Sequence, residues 1–193
     1  MLIAPGHSKN DSTMKHYFLL SMAFLLTALT TPLMAQDTVF VQEYLERLEN
    51  SRKYLILVAE TMPEEQYTFK ATPESLSFAE HLMHIAWAMD WHAQSLMGGR
   101  DARDWNTDTE LQVAQKTKAE MIAAINQTFA ATQTLISQFN LAQLKDTLEY
   151  FGLHRTKRQI LLLLSDHITH HRAQMLVSMR LKGLVPPRYV LYQ

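Results

Sequence analysis

In long stretches between residue 38 and residue 182 the apolar side chains return every three or four positions, with no strand signal between them. That periodicity restricts the chain to packed amphipathic helices. Val41, Tyr44, Leu45, Leu48, Leu55 and Val58 place a first helix over 38–62. The stretch "MPEEQYTFKATPES" interrupts it with two prolines and no period. At Ser77, "SFAE" reads as a capping box in which Ser77 and Glu80 satisfy each other's free backbone N–H groups. A second helix then runs to about Met97, where Gly98-Gly99 stops it. Leu111, Ala114, Met121, Ile125, Phe129, Thr132, Leu135 and Phe139 carry a third. A shorter segment, 141–152, has a weaker helical period and ends at Gly152. The fourth long helix covers 156–182 and is closed by "KGLVPPRY", whose glycine and prolines cannot continue it. Four long helices without a sheet predict an all-α four-helix bundle. Between the second and third, "RDARDWNTDTE" is a polar loop long enough to form a rim or lid.

Ahead of the bundle, residues 14–35 have the layout of a secretory signal peptide. Lys15 and His16 are its basic start, an apolar run extends from Phe18 to Leu29, and "LMA" precedes Gln36. The run is shorter than the ~20 residues a membrane span needs. The expectation is therefore a leader with a short upstream extension over 1–35, cleaved after Ala35. The bundle domain over 36–193 would then be exported, periplasmic or extracellular, with no stable membrane span. The absence of cysteine suits export and excludes thiolate ligands and a cysteine nucleophile. Eighteen basic against 19 acidic residues give a net charge of −1, with no electrostatic footprint for nucleic acid.

The chemistry is concentrated in histidine. "DHITHHRAQ" puts three of them just after "ILLLL", and His167 and His171 lie four residues apart on one face of the fourth helix. Two imidazoles so placed can chelate one divalent ion. A third ligand would have to come from "EHLMHIAWAMDWH", where periodicity does not choose among His81, His84 and His92. Three imidazoles would leave a coordination position for water or substrate.

At this point the chain resembles the DinB/YfiT-like metalloenzyme family. "SFAEHLMHIAWA", "HITHHRAQ" and the ending "LKGLVPPRY" carry the resemblance, which spans essentially the whole of residues 36–193. It implies a four-helix bundle, a homodimer, and one divalent metal ion held by His84, His167 and His171. Ala173 stands where the family usually has glycine, a change that touches no ligand. Zinc or nickel is expected ahead of iron, although neutral imidazole suits all three and ligand type alone does not choose among them. Glu80 is read either as a cap or as a partner of His84. Arg172 and Gln174 are read as structural polar contacts, and His81, His92 and His154 as rim or surface residues. Trp87, Trp91 and Trp105 could line a ligand cavity, but core packing is the preferred reading for helix-borne aromatics. Asp90 and Asp166 are general-base candidates only by their nearness in sequence, so no catalytic acid or base is assigned.

The resemblance further implies a transferase or isomerase that uses a small thiol and an unidentified small-molecule substrate. Export weighs against it, because such thiols are mostly cytoplasmic. Metal-assisted hydrolysis and a non-catalytic, metal-containing ligand-binding bundle are the alternatives.

Overall fold

A computed structural model describes the backbone of residues 11–189 and the side chains of Tyr17 and residues 36–189. The chain divides after Val39 into two compact units, and everything below concerns the second, from Phe40 onward. Apart from Tyr17, the side chains of the expected leader lie outside the described set. Among the described residues no helix is long and apolar enough to cross a membrane.

Helix α1 covers Asp11–Thr61, α2 Phe78–Asp90, α3 Lys118–Ser137 and α4 Lys157–Leu181. Three of the four begin on a reciprocal cap: Ser77 with Glu80, Thr117 with Glu120, and Thr156 with Gln159. Each cap satisfies backbone donors that the first helical turn cannot bond internally. The stops follow the glycines, with Gly99 at φ 77° and Gly183 at φ 74°, a conformation costly for any residue with a Cβ.

The core is built from one stripe of each helix. Leu48, Leu55 and Val58 come from α1, Phe78, Leu82 and Ile85 from α2, Ile125 and Phe129 from α3, and Ile160, Leu164 and Met175 from α4, all buried. Helix α2 packs against both α3 and α4. It does not end as an ordinary α-helix. Residues Trp91–Met97 form a π-helical turn, and the Gly98 N–H reaches back five residues to the Ala93 carbonyl at 2.9 Å. Such a turn fits one extra residue into the spiral and re-aims the side chains that follow.

Two expectations are corrected. The third helix begins at Lys118 and not near Leu111. The capping box at Thr117 sets its start, while Leu111 reaches the core from the preceding loop. The segment 141–152 is not helical throughout: a 3-10 turn, Leu141–Lys145, leads into strand β1, Thr147–Tyr150. Strand β1 pairs antiparallel with β2, Leu153–Thr156, in the register Thr147 opposite Thr156. The two residues between the strands, Phe151 and Gly152, have φ 51° and 77°. Positive φ at both positions is what a two-residue hairpin needs to match the strand twist. Each strand is only four residues long, and only β1 alternates, too little to stand out against the helical period. The fold remains mostly helical, with this small hairpin as its sheet.

Candidate metal centre

Because α2 packs against α4, their histidines meet. His84, His167 and His171 each offer a ring nitrogen, and the three atoms lie within 4.8 Å of one another. Ring centroids are 4.4 Å apart for His167 and His171, 4.5 Å for His84 and His171, and 5.0 Å for His84 and His167. A tetrahedral ion bound at roughly 2.0–2.1 Å sets its nitrogens about 3.4 Å apart. The cluster can reach that spacing by side-chain rotation, so it could hold a metal ion.

Electrostatics favours the uncharged rings. Burial, followed by the neighbouring imidazoles, pushes His167 down to about 4 and His171 down to about 3. Burial also lowers His84. At neutral pH all three therefore keep a lone pair for a cation. Nε2 of His167 is buried without a hydrogen-bond partner. A polar atom left that way costs roughly 1–3 kcal/mol, which a bound cation would offset. The donor set therefore fits a divalent ion.

His81 and His92 are not the rim residues that the sequence suggested. His81 is buried and its Nδ1 lies 2.9 Å from Nδ1 of His171. One of these two nitrogens donates and the other accepts, which leaves Nε2 as the uncommitted nitrogen of His171. His92, also buried, donates from Nδ1 to the Ala88 carbonyl at 2.6 Å. Its Nε2 must then accept, and it lies 3.0 Å from the Tyr150 hydroxyl. His154 is exposed, as expected, and so is His170.

Two of the three candidate carboxylates are committed elsewhere. Glu80 completes its cap on the Ser77 N–H at 2.6 Å and pairs with Lys70 at 3.2 Å, which settles it as a cap. Asp90 is buried beneath the polar loop, where it pairs with Arg100 and, at 3.1 Å, with Arg103. Asp166 is exposed. Arg172 is buried over the Tyr54 ring at 5.0 Å, a structural contact, and Gln174 is exposed.

The tryptophans depart furthest from expectation. Trp105 is 52% exposed and meets Trp87 edge-on at 4.6 Å. Trp87, Trp91 and Trp105 line a cavity of about 420 Å³ together with Tyr150, Phe151, His84 and His167. A second cavity of about 320 Å³ is lined by Glu80, Met83, Val113 and again His84 and Trp105. They are wall residues because the loop after Gly98, held down through Asp90, roofs over α2 without closing on it. Tyr150 and Phe151 were missed altogether. The one signal for them was "YFGL", an aromatic pair running into the glycine of a tight turn.

A helical bundle whose second and fourth helices bring three neutral imidazoles together beside two cavities is, by fold and site, a candidate metalloprotein. The chain belongs to the DinB superfamily, whose profile matches residues 47–175, a span that includes all three histidines. It is 28% identical over 130 residues to an uncharacterized protein, YjoA, of Bacillus subtilis (strain 168), covering 65% of this chain and 80% of that one. The crystal structure of that DinB-like protein superposes with a TM-score of 0.61 at 20% identity, over 78% of this chain and 97% of its own. A DinB-like protein from Bacillus cereus gives 0.59 at 22% identity, over 77% of this chain and 93% of its own. A conserved protein from Enterococcus faecalis gives 0.60 at 17% identity, over 72% and 95%. At these identities the solved structures establish the fold alone.

Proposed function

We propose that His84, His167 and His171 hold one divalent ion, zinc or nickel in preference to iron, and that the protein is a transferase or isomerase acting with a small thiol. The observation that carries this reading is the pair of cavities sharing His84 and Trp105. Two compartments meeting at one centre suit two small reactants better than one reactant and water. An ion on three imidazoles would supply a Lewis acid that favours the thiolate or polarises a substrate oxygen. The Trp87, Trp91 and Trp105 walls would exclude water, and the Tyr150 hydroxyl, donating to His92, would hold a proton at the edge of the larger cavity. Hydrolysis is disfavoured because it calls for a carboxylate to move the proton, and Glu80 and Asp90 are both in ion pairs while Asp166 lines neither cavity. Incubation with thiol-plus-electrophile pairs should consume thiol, and a chelator should stop it. Turnover of esters or amides with no thiol present would overturn the assignment.

His81 acts in this reading as a positioning residue. If Nε2 of His171 faces the ion, its Nδ1–H donates to His81, which fixes the tautomer and the ring. His81→Ala should weaken zinc binding roughly 10–100-fold in competition with a chromophoric chelator. His81→Asn, which restores an acceptor, should recover part of that loss. Unchanged affinity in His81→Ala would remove His81 from the site.

Export and dimerisation complete the proposal. The first rests on the basic, apolar and small-residue order of residues 14–35, the second on family resemblance. Native mass spectrometry of protein expressed from the full gene should show a dimer of chains lacking residues 1–35. Full-length monomers would contradict both.

A further inference from the structure

We infer that the larger cavity binds a flat aromatic or conjugated group, with the ligand's donor atoms turned toward the histidine cluster. This rests on the metal-dependent reading above and names the substrate class for the same site. All three tryptophans of the chain line this one cavity, together with Tyr150 and Phe151. Had they served only to fill the core, they would be covered, yet Trp105 is 52% and Phe151 77% exposed. Their ring faces are surface that a planar ligand would cover, in the offset or edge-to-face arrangements aromatic pairs prefer.

Phe151 gives a second, independent reason. It sits at φ 51° in a two-residue turn where Asn, Asp or Gly is the low-strain choice. A bulky residue held in the left-handed region contributes nothing to the hairpin and works against it. What it does provide is a ring 5.5 Å from Trp91 and 4.8 Å from Tyr150, at the mouth of the cavity. Backbone strain is retained where an aromatic face is gained.

Charge narrows the ligand further. Arg103, the cation in this wall, is spent on Asp90 at 3.1 Å, Glu110 at 2.7 Å and Asp108 at 2.5 Å. Three carboxylates surround this one guanidinium, so no net positive charge is left there to attract an anionic tail. Aromatic walls also suit quaternary ammonium groups, but a cation here would lie beside a dication on His84 and His167, which repels it. A neutral ring system is left, joined to a head that seeks the metal. At about 420 Å³ the cavity falls in the range of small-ligand sites.

Benzohydroxamate and acetohydroxamate share one chelating head and differ in the ring, so they test the wall. On the zinc-loaded full chain, with zinc content measured independently by mass spectrometry, benzohydroxamate should bind at least roughly ten-fold tighter. Phe151→Asn and Trp105→Ala should each reduce that preference several-fold, read by calorimetry. Phe151→Asn should at the same time raise the melting temperature, because Asn tolerates the turn, so its weaker binding could not come from unfolding. Equal affinities for the two hydroxamates, or a preference unchanged in both variants, would overturn the inference. So would a Phe151-dependent self-association that occludes the cavity without any probe binding. Should the chain take up no zinc, the metal reading fails separately, and 2-naphthol then tests the wall alone. Binding that is weakened in Phe151→Asn supports the wall, and no binding refutes it.

Discussion

Alanine at His84, His167 or His171 is expected to abolish stoichiometric zinc or nickel, lowering affinity by more than about 100-fold. Two imidazoles remain in each variant, and two rarely hold a divalent ion against buffer and water. His154→Ala and His170→Ala, both at exposed rings, should keep full metal content. The same loss should appear in stability, since a ligand at 100 times its dissociation constant stabilises the folded state by about 2.7 kcal/mol. Chelator should therefore lower the melting temperature of the wild-type protein and leave that of His171→Ala unchanged. Metal retained by His84→Ala and lost from His81→Ala would move the centre one turn along α2.

Phe129→Ala should be among the most destabilising single changes in the bundle. Phe129 is fully buried on α3, and truncation removes its apolar area while leaving a cavity that neighbouring side chains fill only partly. The expected cost is about 3–5 kcal/mol. For a chain of this size that corresponds to a fall in melting temperature of roughly 6–20 °C. Leu162→Ala, at a position 44% exposed on α4, should change stability by less than about 0.5 kcal/mol. Urea denaturation read by circular dichroism separates the two. Equal midpoints would mean that α3 does not pack on α2 as described.

Local chemistry made much of this protein legible in its sequence. The Ser77–Glu80 cap, the stop at Gly98-Gly99, the span of α4 and the stacking of His167 over His171 depend on residues within about one turn of each other. Family resemblance added His84, which periodicity alone left level with His81 and His92. The third helix start and the hairpin were also local, at Thr117 and at Phe151-Gly152. They were missed because an apolar period running through 111–139 and 141–152 outweighed two short signals.

The remainder was decided by packing. His81 meets His171 across 90 residues only because α2 lies along α4. Asp90 became the anchor of the polar loop because that loop folds back to give it Arg100 and Arg103. Trp87 and Trp91 recur at a spacing that fits a core stripe equally well, and Trp105 belongs to the polar loop. They line a cavity because the loop after Gly98 brings Trp105 against Trp87 and leaves the space beside them unfilled. Caps and helix faces follow from hydrogen bonds and side-chain spacing over a few residues, which a sequence records directly. Whether a buried ring meets a histidine, an aspartate or open space depends on which distant segment arrives opposite it, and that is set by the packing of the whole bundle.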